Sequence, residues 1–137
     1  MSEKTPIPAQ DLDHVSIAVP DLDAAIRLYR ERFGCEVGEP SENPRQGVRM
    51  AMIQLENARI ELMEPLGEDS PIARFLERNP AGGIHHFCLT TPDVDSAAAA
   101  ASKNGLRVLG EPTPDSRLFF IHPKDSMGTL IEIEETH

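Results

Sequence analysis

Two stretches of the chain repeat one pattern of apolar and polar positions. In "LDHVSIAVPDLDAAIRLYRERFGCEV", from Leu12, and in "IHHFCLTTPDVDSAAAAASKNGLRV", from Ile84, a histidine opens a run of alternating or apolar residues that reads as a strand. A proline and then an aspartate follow at the same spacing, as His14, Pro20 and Asp21 in the first copy and His86, Pro92 and Asp93 in the second. Each aspartate is placed to cap a helix, because its side chain accepts a bond from an otherwise orphaned amide. Each helix is expected to end at a glycine, Gly34 or Gly105, which tolerates the left-handed conformation of a helix terminus. Beyond the helices, "VRMAMIQL" with "RIELME" answers "SRLFFIHP" with "TLIEIEE".

Each half therefore reads as strand, helix, strand, strand, strand, and neither half is large enough to cover its own sheet. The expected fold is α+β: two tandem βαβββ modules forming one pseudo-twofold, cup-shaped curved sheet. Residues 1–11 are expected as a flexible lead-in and residues 12–137 as a single domain, with module one over 12–66 and module two over 83–135. Between them "EDSPIARFLERN" predicts a connecting helix at about residues 70–79, with Ser70 as its cap and Pro71 in its first turn. The run "SAAAAASKNG" predicts a helix lying tight against its sheet, since alanine is the best helix former and packs closely.

Within this apolar pattern two glutamates stand out. "RIELMEP" and "LIEIEET" place Glu61 and Glu132 in strands that otherwise read as buried. A carboxylate there is costly unless its charge is compensated. Twofold pseudosymmetry would bring His14, Glu61, His86 and Glu132 to a common concave surface, where they make a divalent metal site. Two imidazoles and two carboxylates suit Co²⁺, Mn²⁺, Ni²⁺, Zn²⁺ or Mg²⁺ and leave coordination positions open for water or substrate. His86 is chosen over His85 because it aligns with His14, and strand alternation turns His85 to the opposite face. A single histidine at a strand start is more often structural; recurrence in register within a duplication separates these four from that background.

Composition narrows the partners. At 137 residues the chain suits one compact domain, and 39% hydrophobic with 26% charged residues is ordinary for a globular protein. A net charge of −10 lacks the basic stripe that nucleic acid requires. No apolar run approaches bilayer length, so no membrane span is expected. The N-terminal segment lacks the features of a signal or transit peptide, and Cys35 and Cys88 are too few and too far apart for a disulfide scaffold. A cytoplasmic location with reduced thiols is the expectation. "SENPRQGVR" reads as a loop whose Arg45 and Arg49 could meet an anionic ligand. "HPKD" reads as a tight turn with a surface Lys124, and Arg74 and Arg78 read as solvated.

"LDHVSIAVPDLDAAIRLYRERFG", "QGVRMAMI", "IELMEPLGEDSPIARFLERNPAGGIHHF" and "HPKDSMGTLIEI" together resemble the vicinal oxygen chelate superfamily and, within it, the methylmalonyl-CoA epimerase family. The resemblance spans Leu12 to Glu134. It implies the vicinal oxygen chelate fold, metal positions at His14, Glu61, His86 and Glu132, an acyl-CoA substrate, and a homodimer. The implied reaction is a 1,1-proton transfer that interconverts the (R) and (S) epimers of methylmalonyl-CoA through a metal-stabilised enolate. Glu132 and Glu61 are the candidate catalytic carboxylates. Some epimerases carry a further glutamate at the position of Met50, so the second acid/base is open here among Glu61, a bound water and Glu42. The alternatives are a glyoxalase I-like lactoylglutathione lyase, with the same ligand types, and a metal-free binding protein of the same superfamily.

Overall fold

The computed structural model describes residues 5–136. Its contacts divide the chain into two compact units: His14–His85, and the remainder, in which the residues up to Asp13 join those from His86 onward. The second set of elements follows the predicted order of strand, helix and three strands, and the first does so with one further short strand after its helix. In the first, β1 (Leu12–Ala18) leads to α1 (Leu22–Phe33), then β2 (Glu36–Val37), β3 (Ser41–Asn43), β4 (Val48–Gln54) and β5 (Arg59–Pro65). The strand β5 pairs in parallel with β1 and antiparallel with β4, which also takes β2 and β3 as antiparallel partners. After α2 (Pro71–Arg78), the second set comprises β6 (Gly83–Thr91), α3 (Val94–Lys103), β7 (Val108–Leu109), β8 (Leu118–Ile121) and β9 (Ile131–Glu135). Here β9 pairs in parallel with β6 and antiparallel with β8, and β8 pairs with β7.

Local chemistry sets the helix ends. Asp21 accepts the Ala24 amide, and Gly34 closes α1 at φ 66° with its own N–H on the Tyr29 carbonyl. Asp93 accepts the amides of Asp95 and Ser96. The helix α3 runs to Asn104 as its cap, and Gly105 follows at φ 79°. Ser70 caps α2 with Pro71 just inside it, as the sequence predicts. The alanine-rich α3 does lie tight, with Ala97 and Ala101 fully buried beside Phe119, Ile121 and Ile133. On the matching face of the first unit, Leu22 and Ile26 of α1 pack on Ala51, Ile53 and Leu62.

An ion-pair arrangement that the motifs did not reveal ties α1 and α3 to their strands, once in each unit. In the first unit the Leu22 amide donates to Glu64 Oε1 at 2.7 Å, while Arg49 reaches Asp23 at 3.2 Å and Glu64 at 3.5 Å. In the second the Val94 amide donates to Glu135 Oε2 at 3.0 Å, while Arg117 reaches Asp95 at 2.8 Å and Glu135 at 2.9 Å. A carboxylate at a helix N-terminus satisfies an orphan N–H and meets the positive end of the dipole. Arg49, read from the sequence as a possible anion ligand, is thus engaged in holding α1.

Two other segments differ from expectation. "SENPRQGVR" is a hairpin rather than a plain loop, because the Gln46 amide bonds to Asn43, the Gly47 amide bonds to Pro44, and Gly47 supplies φ 68°. Residues 5–11, expected as a flexible lead-in, are tied to the second unit. Asn104 donates to the Thr5 carbonyl, Ile7 packs beside α3, and the Gln10 amide and Asp11 carbonyl bond to the Thr90 backbone at 2.8 and 2.9 Å.

Two outcomes follow. The Arg117 guanidinium and, after it, the Val94 amide hold the Glu135 carboxyl below the usual carboxylate range. Its contribution to stability is complete above the unfolded glutamate pKa of about 4.3 and is lost as pH falls through the depressed folded value. Glu135→Gln should therefore lower the melting temperature at pH 7 and shrink the further loss on acidification to pH 3, as thermal melts across pH will show. Gly82 adopts φ 93°, and a Cβ there would lie 2.7 Å from the Ala18 carbonyl oxygen. Gly82→Ala should cost at least about 1–3 kcal/mol, measured by urea unfolding.

Candidate metal centre

Strand alternation selects the face on which the candidate ligands stand. On β1 the buried positions are His14, Ser16 and Ala18, whereas Ile17 between them turns toward the α1 side. Parallel pairing sets Ser16 beside Glu61 in register, so Glu61 shares the face of His14 and Ser16. His14 is 5% exposed and Glu61 8%, both values far below what an unassisted carboxylate or imidazole normally accepts. A ring nitrogen of His14 and a carboxylate oxygen of Glu61 lie within 4.8 Å of each other. The Ser16 hydroxyl, fully buried, donates to Glu61 Oε1 at 2.8 Å.

The second unit reproduces this register. Cys88 pairs with Glu132 as Ser16 does with Glu61, and His86 precedes Cys88 by the same step that separates His14 from Ser16. His86 Nε2 lies 3.0 Å from Glu132 Oε1, and the two residues are 6% and 5% exposed. Phe120, opposite Glu132 on β8, sets its ring edge-on to His86 at 5.2 Å between centroids. His85 faces away, as alternation predicts, and stacks edge-on with Phe75 of α2 at 5.2 Å.

The donor chemistry fits a divalent cation. His86 Nε2 and Glu132 Oε1 already stand within hydrogen-bond distance, and imidazole nitrogen with carboxylate oxygen is a donor pair that divalent cations accept. Asp13, Cys88 and Glu134 also bring donor atoms within 4.8 Å of one another. In that cluster burial, followed by the charges of Glu132, Glu134 and Asp13, pushes the Cys88 thiol up.

The structure also answers questions that the sequence left open. Met50 lies on β4 opposite Met63, and Met52 lies opposite Glu61, so a thioether wall stands beside Glu61. Glu42 is exposed and registers with Arg49, whose side chain serves the α1 face; this removes Glu42 from the choice of acid/base groups. Arg45, Arg74, Arg78 and Lys124 are all exposed. Ser16 was missed. Its signal was present, a polar residue at an inward position of "HVSIA".

The arrangement is that of a duplicated scaffold with a candidate metal site in its repeated register. The family model for the Glyoxalase/Bleomycin resistance protein/Dioxygenase superfamily matches residues 13–121. The chain is 50% identical over 129 residues to an ethylmalonyl-CoA/methylmalonyl-CoA epimerase of Cereibacter sphaeroides, spanning 90% of this chain and 96% of that one. The crystal structure of methylmalonyl-CoA epimerase from Mycobacterium tuberculosis superposes with a TM-score of 0.85 at 35% identity, over 99% of this chain and 93% of that one. A methylmalonyl-CoA epimerase in complex with methylmalonyl-CoA and NH4+ gives 0.85 at 38% identity, over 93% and 95%. The chain belongs to this superfamily, which has the vicinal oxygen chelate fold, and within it to the methylmalonyl-CoA epimerase family.

Proposed function

We propose that this protein interconverts the (R) and (S) epimers of methylmalonyl-CoA, with one divalent cation held by His14, Glu61, His86 and Glu132. The observation that carries the reading is the repeated register: each half buries one histidine and one glutamate on the same face of its sheet. The substrate comes from relatives that are named for it, at up to 50% identity over nearly their whole length. Four protein ligands also set the chain apart from superfamily enzymes that use three.

The reaction removes the proton from the carbon between a thioester and a carboxylate and returns one to the opposite face. A bound cation supplies positive charge against the negative charge that the acyl oxygens gain as the proton leaves. Glu61 and Glu132 carry the proton: one carboxylate accepts it from C2, and the other, as the acid, delivers one. Met50 cannot take either part, and Glu42 stands on the other face of its sheet. The thioethers of Met50, Met52 and Met63 make an apolar surround for the reacting carbon. The accompanying assignments are a cytoplasmic homodimer, in keeping with two free cysteines and with the exposed Phe33 and Ile84.

Metal binding should register as stability. Cation at about 100 times its dissociation constant should add about 2.7 kcal/mol. The melting temperature should therefore rise with Co²⁺ or Mn²⁺ and fall back with chelator, and a His14→Ala/His86→Ala variant should show no rise. Incubation with methylmalonyl-CoA in D₂O should place deuterium at C2. Glu61→Gln and Glu132→Gln should each slow that exchange about 100- to 10,000-fold. Activity confined to the methylglyoxal–glutathione hemithioacetal, assayed in parallel, would instead assign the lyase reaction. Small-molecule binding that persists unchanged after chelation, without exchange, would identify a binding protein.

A further inference from the structure

We infer that Ser16 is a positioning residue for Glu61: its hydroxyl occupies one carboxylate oxygen and so fixes which oxygen Glu61 presents to a cation. The inference rests on the four-ligand reading above. Ser16 is fully buried in β1, and its hydroxyl donates to Glu61 Oε1 at 2.8 Å. A buried hydroxyl without a partner is costly, whereas alanine would fill the same volume at no such cost. The hydroxyl at this position is thus matched to the carboxylate beside it.

The consequence for Glu61 is chemical. A hydrogen bond draws electron density from Oε1 and locks rotation about the carboxyl bond. Oε2 becomes the better donor, and the group is set to bind through one oxygen. Partners of this kind orient ligands and raise their affinity, and losing one typically costs 10- to 100-fold in metal binding, as an order of magnitude.

The second half makes the point by contrast. At the position equivalent to Ser16 stands Cys88, a weak donor whose sulfur lies 3.7 Å from Glu134 Oε2. Glu132 has His86 at 3.0 Å instead. The duplicated scaffold has therefore given its two glutamates different supports: a hydroxyl that distinguishes the oxygens of Glu61, and an imidazole for Glu132.

The test uses the full chain as wild type, Ser16→Ala, Glu61→Ala and the double variant. Each is freed of metal and titrated with Co²⁺ against a chromophoric chelator, with visible d–d spectra recorded and melting curves confirming that every variant is folded. Ser16→Ala should weaken Co²⁺ binding about 10- to 100-fold and alter the d–d bands. In the Glu61→Ala background it should cause no further loss. Wild-type affinity in Ser16→Ala, or an equal loss in the Glu61→Ala background, would overturn the positioning role and leave the four-ligand reading standing. A wild-type protein that binds no Co²⁺, or binds it as well after Glu61→Ala, would overturn both.

Discussion

Burial of two carboxylates inside strands is the constraint on which the rest of this structure depends. Glu61 and Glu132 are 8% and 5% exposed, and a carboxylate withdrawn from water needs charge or hydrogen bonds in return. Each half answers partly from its own residues, with a serine hydroxyl on Glu61 and a histidine nitrogen beside Glu132. Neither answer is a full positive charge. A neutral hydroxyl supplies one hydrogen bond, and an imidazole is cationic only when protonated. A divalent cation would complete the compensation.

On the face opposite the ligand positions lie α1 and α3. The repeated Arg–Asp–Glu arrangement ties them to their strands, because Glu64 and Glu135 sit beyond the ligand positions on β5 and β9 and hold the first turns of α1 and α3. The same two strands thus carry two kinds of carboxylate. Glu61 and Glu132 turn inward among buried residues. Glu64 and Glu135 are partly exposed and meet arginine and helix amides. One strand with a three-residue step between glutamates, and therefore opposite faces, separates chemistry from architecture.

Much of this was legible in the sequence because the relevant signals are local. Aspartate before a helix, glycine after it, and a histidine at the head of each copy depend on neighbours a few residues away, and the duplication repeats them. The short strand β3 was not legible, since its pairing with β4 relies on turn bonds at Asn43 and Pro44 in a segment rich in polar residues. Arg49 misled for a related reason. Its partners Asp23 and Glu64 are distant in the chain, and only the cross-strand register at Glu64 reveals why the guanidinium is engaged. Ser16 was readable in principle by alternation, but serine is common enough on strands that only the 2.8 Å bond to Glu61 gives it meaning.

Duplication also explains how one scaffold can serve a reaction whose two ends differ. A proton must leave one face of a carbon and return to the other, so the acid and the base do not have identical tasks. A strictly symmetric site would give both carboxylates the same surroundings and therefore the same proton affinity. Here the register is shared while its neighbours have diverged: Ser16 against Cys88, and Met52 opposite Glu61 against Phe120 opposite Glu132. A hydroxyl and a flexible thioether surround one glutamate, and a thiol and a rigid ring the other. The two copies thus keep one register while giving their glutamates different neighbours, the kind of asymmetry that a proton transfer between two faces of a carbon calls for.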